Sequence, residues 1–300
     1  MRKLFAITLV MTPLLACAKL PVVASFSIVA DVAREVGGER VDVVSLVAPD
    51  QDAHVFQPSP ADVRKLAAAK VFVVNGLGFE GWMARLSKSA AFKGLTVAAA
   101  AKVKPLAMAE HEEHDEHHGH DHDHDHGKQD PHAWHNPQNV ALYAEAMAAG
   151  FAKADPEGAA YYRQRAQAYK VQLLELDGWA AKSFAAIPAE RRKVLTSHDA
   201  FAYLAARYKL RFMAPQGVST DAEASAKGVA ALIRQVRKEK VSAVFFENMA
   251  DRRLLDQLSR EAGVKVGGKL YSDALSASPE AASYVQLFKT NVGALVAAMK

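Results

Sequence analysis

Thiols are almost missing from this 300-residue sequence, in which Cys17 is the single cysteine. No disulfide can staple the chain and no thiolate pair is on offer to a metal, so any cation site must be built from nitrogen and oxygen. Long apolar runs are missing too: beyond Leu15 no stretch approaches the roughly 20 residues that a membrane-crossing helix needs. There is no basic stripe, because Lys and Arg are dispersed along helical segments such as Ile233–Lys238, and this argues against nucleic acid as a partner. Histidine is scarce over most of the chain. Of twelve, only His54, His132, His135 and His198 lie outside one short tract.

That tract is the most conspicuous feature present. Eight histidines fall between His111 and His126, and every residue between them is Asp, Glu or Gly. Such a stretch cannot build a core and is expected to lie in solvent. Imidazole and carboxylate are ligands for borderline divalent metals, so a dense array of them points to weak, many-sited metal capture. The tract ends in Asp130-Pro131-His132-Ala133-Trp134, where proline and an indole flank a histidine that need not belong to the tract.

The first residues read as an address. Met1-Arg2-Lys3 is a basic start, Leu4 to Leu15 is apolar, and Ala16-Cys17-Ala18 supplies small residues for a signal peptidase. Cleavage after Ala18 and export to the periplasm is the expectation; Leu14-Leu15-Ala16-Cys17 can also be read as a lipoprotein box that tethers the chain through Cys17. Setting aside Arg2, Lys3 and the eight acids of the tract leaves 35 basic against 25 acidic residues, a body near +10 carrying an acidic loop. Half of the residues are hydrophobic, ample for a core, and the length suits two domains or one large α/β domain.

Past the signal, short β-branched runs alternate with helical spacing. Strands are expected at 21–26, 41–47, 71–75 and 95–98, with helices at 28–36, 59–69, 80–87 and 137–153. After Asp155-Pro156 comes an unusually long helical pattern to Ile187, long enough to join two lobes rigidly. The alternation then restarts: strands at 193–196, 210–213, 241–246 and 264–271, helices at 201–208, 223–238, 251–262 and 279–299. Short buried strands alternating with helices predict parallel sheets. The partition is a signal at 1–18, an α/β lobe at 19–155 with a disordered His-rich loop at 110–129, a connecting helix at 156–187 and a second α/β lobe at 188–300.

In parallel sheets, ligands bind beyond the carboxyl ends of the strands. His54 follows the second strand, His198 follows the strand ending at Thr196, Asp273 follows the strand ending at Tyr271, and His132 lies on a loop that can reach the same region. Taken singly, each has an ordinary reading. His54 could be a surface residue, His132 could pack on Trp134, His198 could be a cap or a base oriented by Asp199, and Asp273 could be a helix N-cap. Their joint placement is the argument. Three imidazoles and a carboxylate make a set suited to Zn²⁺. His135, just before Asn136-Pro137, reads as a solvated helix-entry residue, and Glu247 as a reserve ligand.

At these residues the chain resembles the metal-binding proteins that feed zinc and manganese ABC importers. Asp52-Ala53-His54-Val55-Phe56-Gln57-Pro58-Ser59-Pro60 is similar to that family's first-ligand loop, and Asp130-Pro131-His132-Ala133-Trp134 to the second. Ser197-His198-Asp199-Ala200-Phe201 resembles the third, and Tyr271-Ser272-Asp273-Ala274-Leu275 the fourth. The match spans the mature chain, and a His-rich insertion before the second ligand resembles the zinc branch. The resemblance implies two α/β lobes joined by one rigid helix, metal held in the cleft by His54, His132, His198 and Asp273, delivery to an inner-membrane permease, and no enzymatic activity. A periplasmic zinc chaperone acting through the tract is a further candidate partner, and a monomer is expected. Manganese relatives commonly carry Glu where His198 stands, so imidazole there favours zinc. The competing readings are a manganese or other divalent-metal binder of the same family, a periplasmic zinc buffer without a permease, and a zinc hydrolase using Asp273 as a base.

Overall fold

The computed structural model describes residues 18–108, 129–221 and 226–300. The signal sequence up to Cys17, the lipidation alternative at Cys17 and the histidine tract fall outside the described residues. Leu20–Phe26 (β1), Val41–Val47 (β2), Val71–Val74 (β3) and Leu95–Ala98 (β4) form a parallel sheet in the order β2-β1-β3-β4. Lys193–Leu195 (β5), Arg211–Met213 (β6), Ala243–Glu247 (β7) and Val266–Leu270 (β8) form a second one in the order β6-β5-β7-β8. The two are wound alike. Burial follows position: central β3 is buried throughout, whereas edge strand β2 has exposed Asp42 and Val44.

Helices cover the sheets: Ser27–Gly37 (α1), Pro60–Ala68 (α2), Met83–Ser89 (α3), Pro137–Ala154 (α4), Ala159–Ala185 (α5), Ala202–Tyr208 (α6), Ala226–Glu239 (α7), Arg253–Ala262 (α8) and Tyr284–Met299 (α9). Local chemistry sets their limits. Ser59 opens α2 through a reciprocal capping box with Asp62, Pro60 taking the first helical position. Asn136 caps α4 with a single bond, its side-chain oxygen accepting Gln138 N–H at 3.0 Å ahead of Pro137.

Two expected helices begin late. The helix expected from Glu80 starts at Met83 because the Glu80 carboxylate is occupied elsewhere, accepting hydrogen bonds from Ser25 Oγ at 2.7 Å, Asn75 N at 2.6 Å and Gly76 N at 3.2 Å. Gly76, Leu77 and Gly78 then all take positive φ, a turn that two glycines make accessible. The helix expected over 279–299 is broken. Pro279–Ala281 is a 3₁₀ turn, Ser283 is extended, and α9 starts afresh where Asp31 accepts Tyr284 N–H at 2.8 Å. The first residues of the helix expected from Glu223 lie outside the described residues.

Between the two sheets in sequence runs α5, whose 27 residues extend about 40 Å. Its buried face, Tyr162, Ala166, Tyr169, Leu173, Leu176, Ala180 and Phe184, recurs every three or four residues and packs on α1, α4, α6 and α9. One apolar cluster contains residues of both sheets, Val22 and Val73 as well as Val194 and Phe245; a smaller one, with Leu232, Val236 and Leu255, lies under α7 and α8.

Asp177 pins α5 to its neighbours. It accepts Arg207 Nε at 2.8 Å and Tyr208 Oη at 2.8 Å from α6, and Gln138 Nε2 at 3.0 Å from α4. Burial pulls its pKa up, but the Arg207 and Tyr208 hydrogen bonds and the guanidinium charge outweigh that and hold it below the ordinary carboxylate range. A carboxyl depressed in the folded state stabilises above its unfolded pKa and loses that contribution as pH falls through the folded value. Asp177→Ala is therefore expected to lower unfolding free energy by roughly 2 kcal/mol at neutral pH, since it removes charge-assisted hydrogen bonds to a partly exposed Arg207 and to Tyr208. In chemical denaturation the gap between wild type and variant should narrow below about pH 4; a gap constant from pH 7 to pH 2 would refute this role.

Candidate metal centre

Four side chains from four loops meet between the sheets. Among the described residues, His54, His132, His198 and Asp273 are a group whose ligand atoms all lie within 4.8 Å of one another. Asp273 Oδ2 is 3.3 Å from His54 Nε2 and 3.1 Å from His198 Nε2, Asp273 Oδ1 is 3.6 Å from His132 Nε2, and the Nε2 atoms of His54 and His132 are 3.3 Å apart. Ligand atoms placed tetrahedrally at the Zn–N and Zn–O distances of about 2.0–2.1 Å are about 3.3 Å from each other. The spacing fits one small cation.

The surroundings deny these atoms any other partner. The side chains of His132, His198 and Asp273 are fully buried and that of His54 is 5% exposed. His198 Nε2 and both Asp273 oxygens make no hydrogen bond in spite of their proximity. Polar atoms left bare in this way are costly unless something else satisfies them.

Carboxylates behind two of the rings decide where their protons sit. Asp130 Oδ1 lies 2.8 Å from His132 Nδ1, and Glu247 Oε2 lies 2.5 Å from His198 Nδ1. Each holds the N–H on Nδ1 and turns the Nε2 lone pair inward, the usual outer-shell device of histidine metal sites. Glu247 also accepts Ser197 N at 2.8 Å, His198 N at 3.0 Å and Ser272 Oγ at 2.8 Å, so the reserve ligand is spent on the far side of the His198 ring. It is Glu247, not Asp199, that orients His198. Burial works against a charged imidazole, yet Glu247 and Asp273 outweigh it and push the His198 pKa well above its ordinary value. Burial works equally against an ionised Asp273, and the neighbouring His198 and His132 overcome it, holding that carboxyl well below its usual range.

The loops are fixed from both lobes. Asp52 Oδ1 accepts His54 N at 2.9 Å and Asp130 Oδ1 accepts His132 N at 2.8 Å, the same aspartate-x-histidine turn used twice. Phe79, at the end of the left-handed 76–78 turn, sets its ring 4.7 Å from His54 and 5.0 Å from Trp134. Trp134 donates from Nε1 to Ser272 O at 2.8 Å and Tyr284 donates to Trp134 O at 2.7 Å, tying the His132 loop to the Asp273 loop. His198 follows β5 and Glu247 ends β7, the strands either side of the point where the second sheet reverses its winding.

His135 corrects the sequence reading. It is buried, not solvated: its ring lies 4.4 Å from that of Phe201, its Nε2 has no partner, and burial pushes its pKa down to about 3. It lies outside the four-residue group. Sequence reasoning also missed Asp130 and the role of Glu247. The repeated aspartate two residues before His54 and His132 was the available signal for the first; nothing along the chain links Glu247 to His198.

Two like-wound parallel lobes joined by a long helix, with three histidines and an aspartate that could hold a metal ion facing each other in the cleft, define the architecture of a solute-binding protein. Residues 22–298 match the family described as ZnuA, zinc-uptake complex component A, periplasmic. The chain is 31% identical to the manganese-binding lipoprotein MntA of Bacillus subtilis, covering 94% of this chain and 90% of that protein. It is 30% identical to the metal ABC transporter substrate-binding lipoprotein SloC of Streptococcus mutans serotype c, covering 91% and 88%. Among solved structures it is similar to the periplasmic zinc binding protein TroA from Treponema pallidum, with a TM-score of 0.84, 28% identity and coverage of 94% of this chain and 99% of that one. The chain belongs to this family: it is a metal-binding substrate-binding component of an ABC transporter, not an enzyme.

Glu247→Gln keeps the size of the side chain but removes the charge that fixes the His198 tautomer. Zinc affinity, read by competition with a chromophoric chelator, is expected to fall about 10- to 100-fold while the melting temperature of the metal-free protein stays close to wild type. An unchanged affinity would show that the carboxylate does not govern the site.

Proposed function

We propose that this protein captures Zn²⁺ in the periplasm and hands it to the permease of an ABC importer, with His54, His132, His198 and Asp273 as the four ligands. The observation that carries this reading is the 3.1–3.6 Å spacing of three imidazole nitrogens and one carboxylate at a point where none has an adequate alternative partner. An imidazole-rich donor set favours zinc over manganese, which binds nitrogen less strongly and prefers oxygen. Export by residues 1–18, with Cys17 as the alternative lipid anchor, puts the protein on the outer side of the membrane that the permease spans; no described helix is itself long and apolar enough to cross one. The tract from His111 to His126 serves as an accessory that raises the local zinc concentration, loaded from solvent or by a periplasmic chaperone.

Manganese is the competing cargo, because a relative of comparable identity is described as manganese-binding. The donor at position 198 separates the two. His198→Glu is expected to lower the zinc-to-manganese affinity ratio by at least about tenfold in paired titrations of the metal-free protein, as a harder oxygen replaces nitrogen. A ratio that does not move, or a wild type that holds manganese more tightly than zinc, defeats the zinc assignment.

Stoichiometry tests the division of labour. The intact chain should hold one tight zinc ion plus several weak ones. His132→Ala is expected to weaken the tight site by several kcal/mol and spare the weak ones, whereas deletion of 111–126 removes the weak ones and keeps the tight one. Loss of the tight ion on deleting the tract alone would overturn the accessory role.

A further inference from the structure

His54 differs from the other three members of the group in being slightly exposed, and it borders a cavity. A space of about 300 Å³ is walled by His54, Leu77 and Phe79 on one side and Val218 on the other, and Met108 and Gln129 stand at its rim. At about 30 Å³ per water it holds some ten water volumes, enough for a divalent ion with its first hydration shell. Met108 and Gln129 are the described residues on either side of the tract, and their strands of chain are joined by a bridge between Ala107 and Gln129. Asp221 also lines the cavity. A second space of about 560 Å³ is lined by Arg253 and Gln257 and by none of the four side chains.

Residues 216–221 separate the two spaces. They start beside His198, where Asp199 N–H donates to Gly217 O at 3.1 Å, and cross the cleft to Asp52, whose Oδ2 accepts Thr220 Oγ1 at 2.7 Å. The other oxygen of Asp52 holds His54 N–H. One carboxylate thus ties the crossing segment of the second lobe to the backbone of His54.

We propose that the ion enters and leaves at the His54 edge through the cavity between Phe79 and Val218, and that the Asp52–Thr220 hydrogen bond holds the 216–221 segment across this opening. The inference rests on the four-ligand reading above and adds the route. His54 is the first of the four to meet an arriving ion, which sheds water stepwise against Asp221 and then imidazole before it is enclosed.

The test is the exchange kinetics of zinc on the full-length protein. A Cβ built on Gly81, at the cavity wall, meets nothing within 4 Å, so Gly81→Trp can fill the space without straining the backbone. Stopped-flow uptake of zinc and its removal by excess EDTA are both expected to slow by at least about tenfold in this variant while the equilibrium constant changes far less, the signature of a blocked path. Gln257→Trp, which crowds the other cavity, should leave both rates unchanged. Thr220→Val, which removes the hydrogen bond at constant size, should speed both. Wild-type rates in Gly81→Trp, or slowing by Gln257→Trp instead, would overturn the route while leaving the site intact. A wild-type chain with no tight zinc ion would sink the site itself, a separate failure read before any rate is measured.

Discussion

A carboxylate that is buried, ionised and without a hydrogen-bond donor is the constraint around which this protein is built. Both oxygens of Asp273 are bare, enclosed by three imidazoles whose Nε2 atoms face inward. An uncompensated charge in such a setting is strongly unfavourable, and only a proton on a neighbouring ring or a cation at the centre relieves it. The pull of Asp273 and Glu247 on the His198 proton is the same demand seen without metal.

Holding four ligands from four loops to within a few tenths of an ångström requires that the loops be braced and not merely adjacent. Here the bracing is done by carboxylates on the ring nitrogens of His132 and His198, by aspartate turns before His54 and His132, and by hydrogen bonds that cross the cleft at Trp134, Tyr284 and Asp52. Tyr203 adds another, donating to Asp130 O at 2.9 Å and accepting Leu106 N–H at 3.0 Å. With α5 packed along helices of both lobes and one apolar cluster continuous between the sheets, wide hinge opening would break a large buried interface. Local movement at a cleft edge is the cheaper way to admit an ion.

Much of this could be read along the chain. The two α/β series, the long helix after Pro156 and the loops whose His54, His132, His198 and Asp273 meet follow from hydrophobic period, capping chemistry and the rule that strands of a parallel sheet present their ligands at the carboxyl end. Element ends moved where a side chain was claimed by a distant partner: Glu80 by Ser25 and Asn75, and Tyr284 N–H by Asp31. His135 was misread because its neighbours in sequence, Asn136 and Pro137, suggest a solvated helix entry, whereas its neighbour in space is Phe201, from another lobe.

By itself the sequence determined which residue types could ligate, how the chain alternates and where the loops carrying His54, His132, His198 and Asp273 begin, because these depend on composition and on periods of a few residues. Only the tertiary structure decided that Glu247 fixes the His198 tautomer, that Asp52 reaches Thr220, and that His54 borders a cavity. Those facts rest on side chains 49 residues apart at Glu247 and His198 and 168 apart at Asp52 and Thr220, and no local pattern encodes a meeting that the packing of two lobes creates.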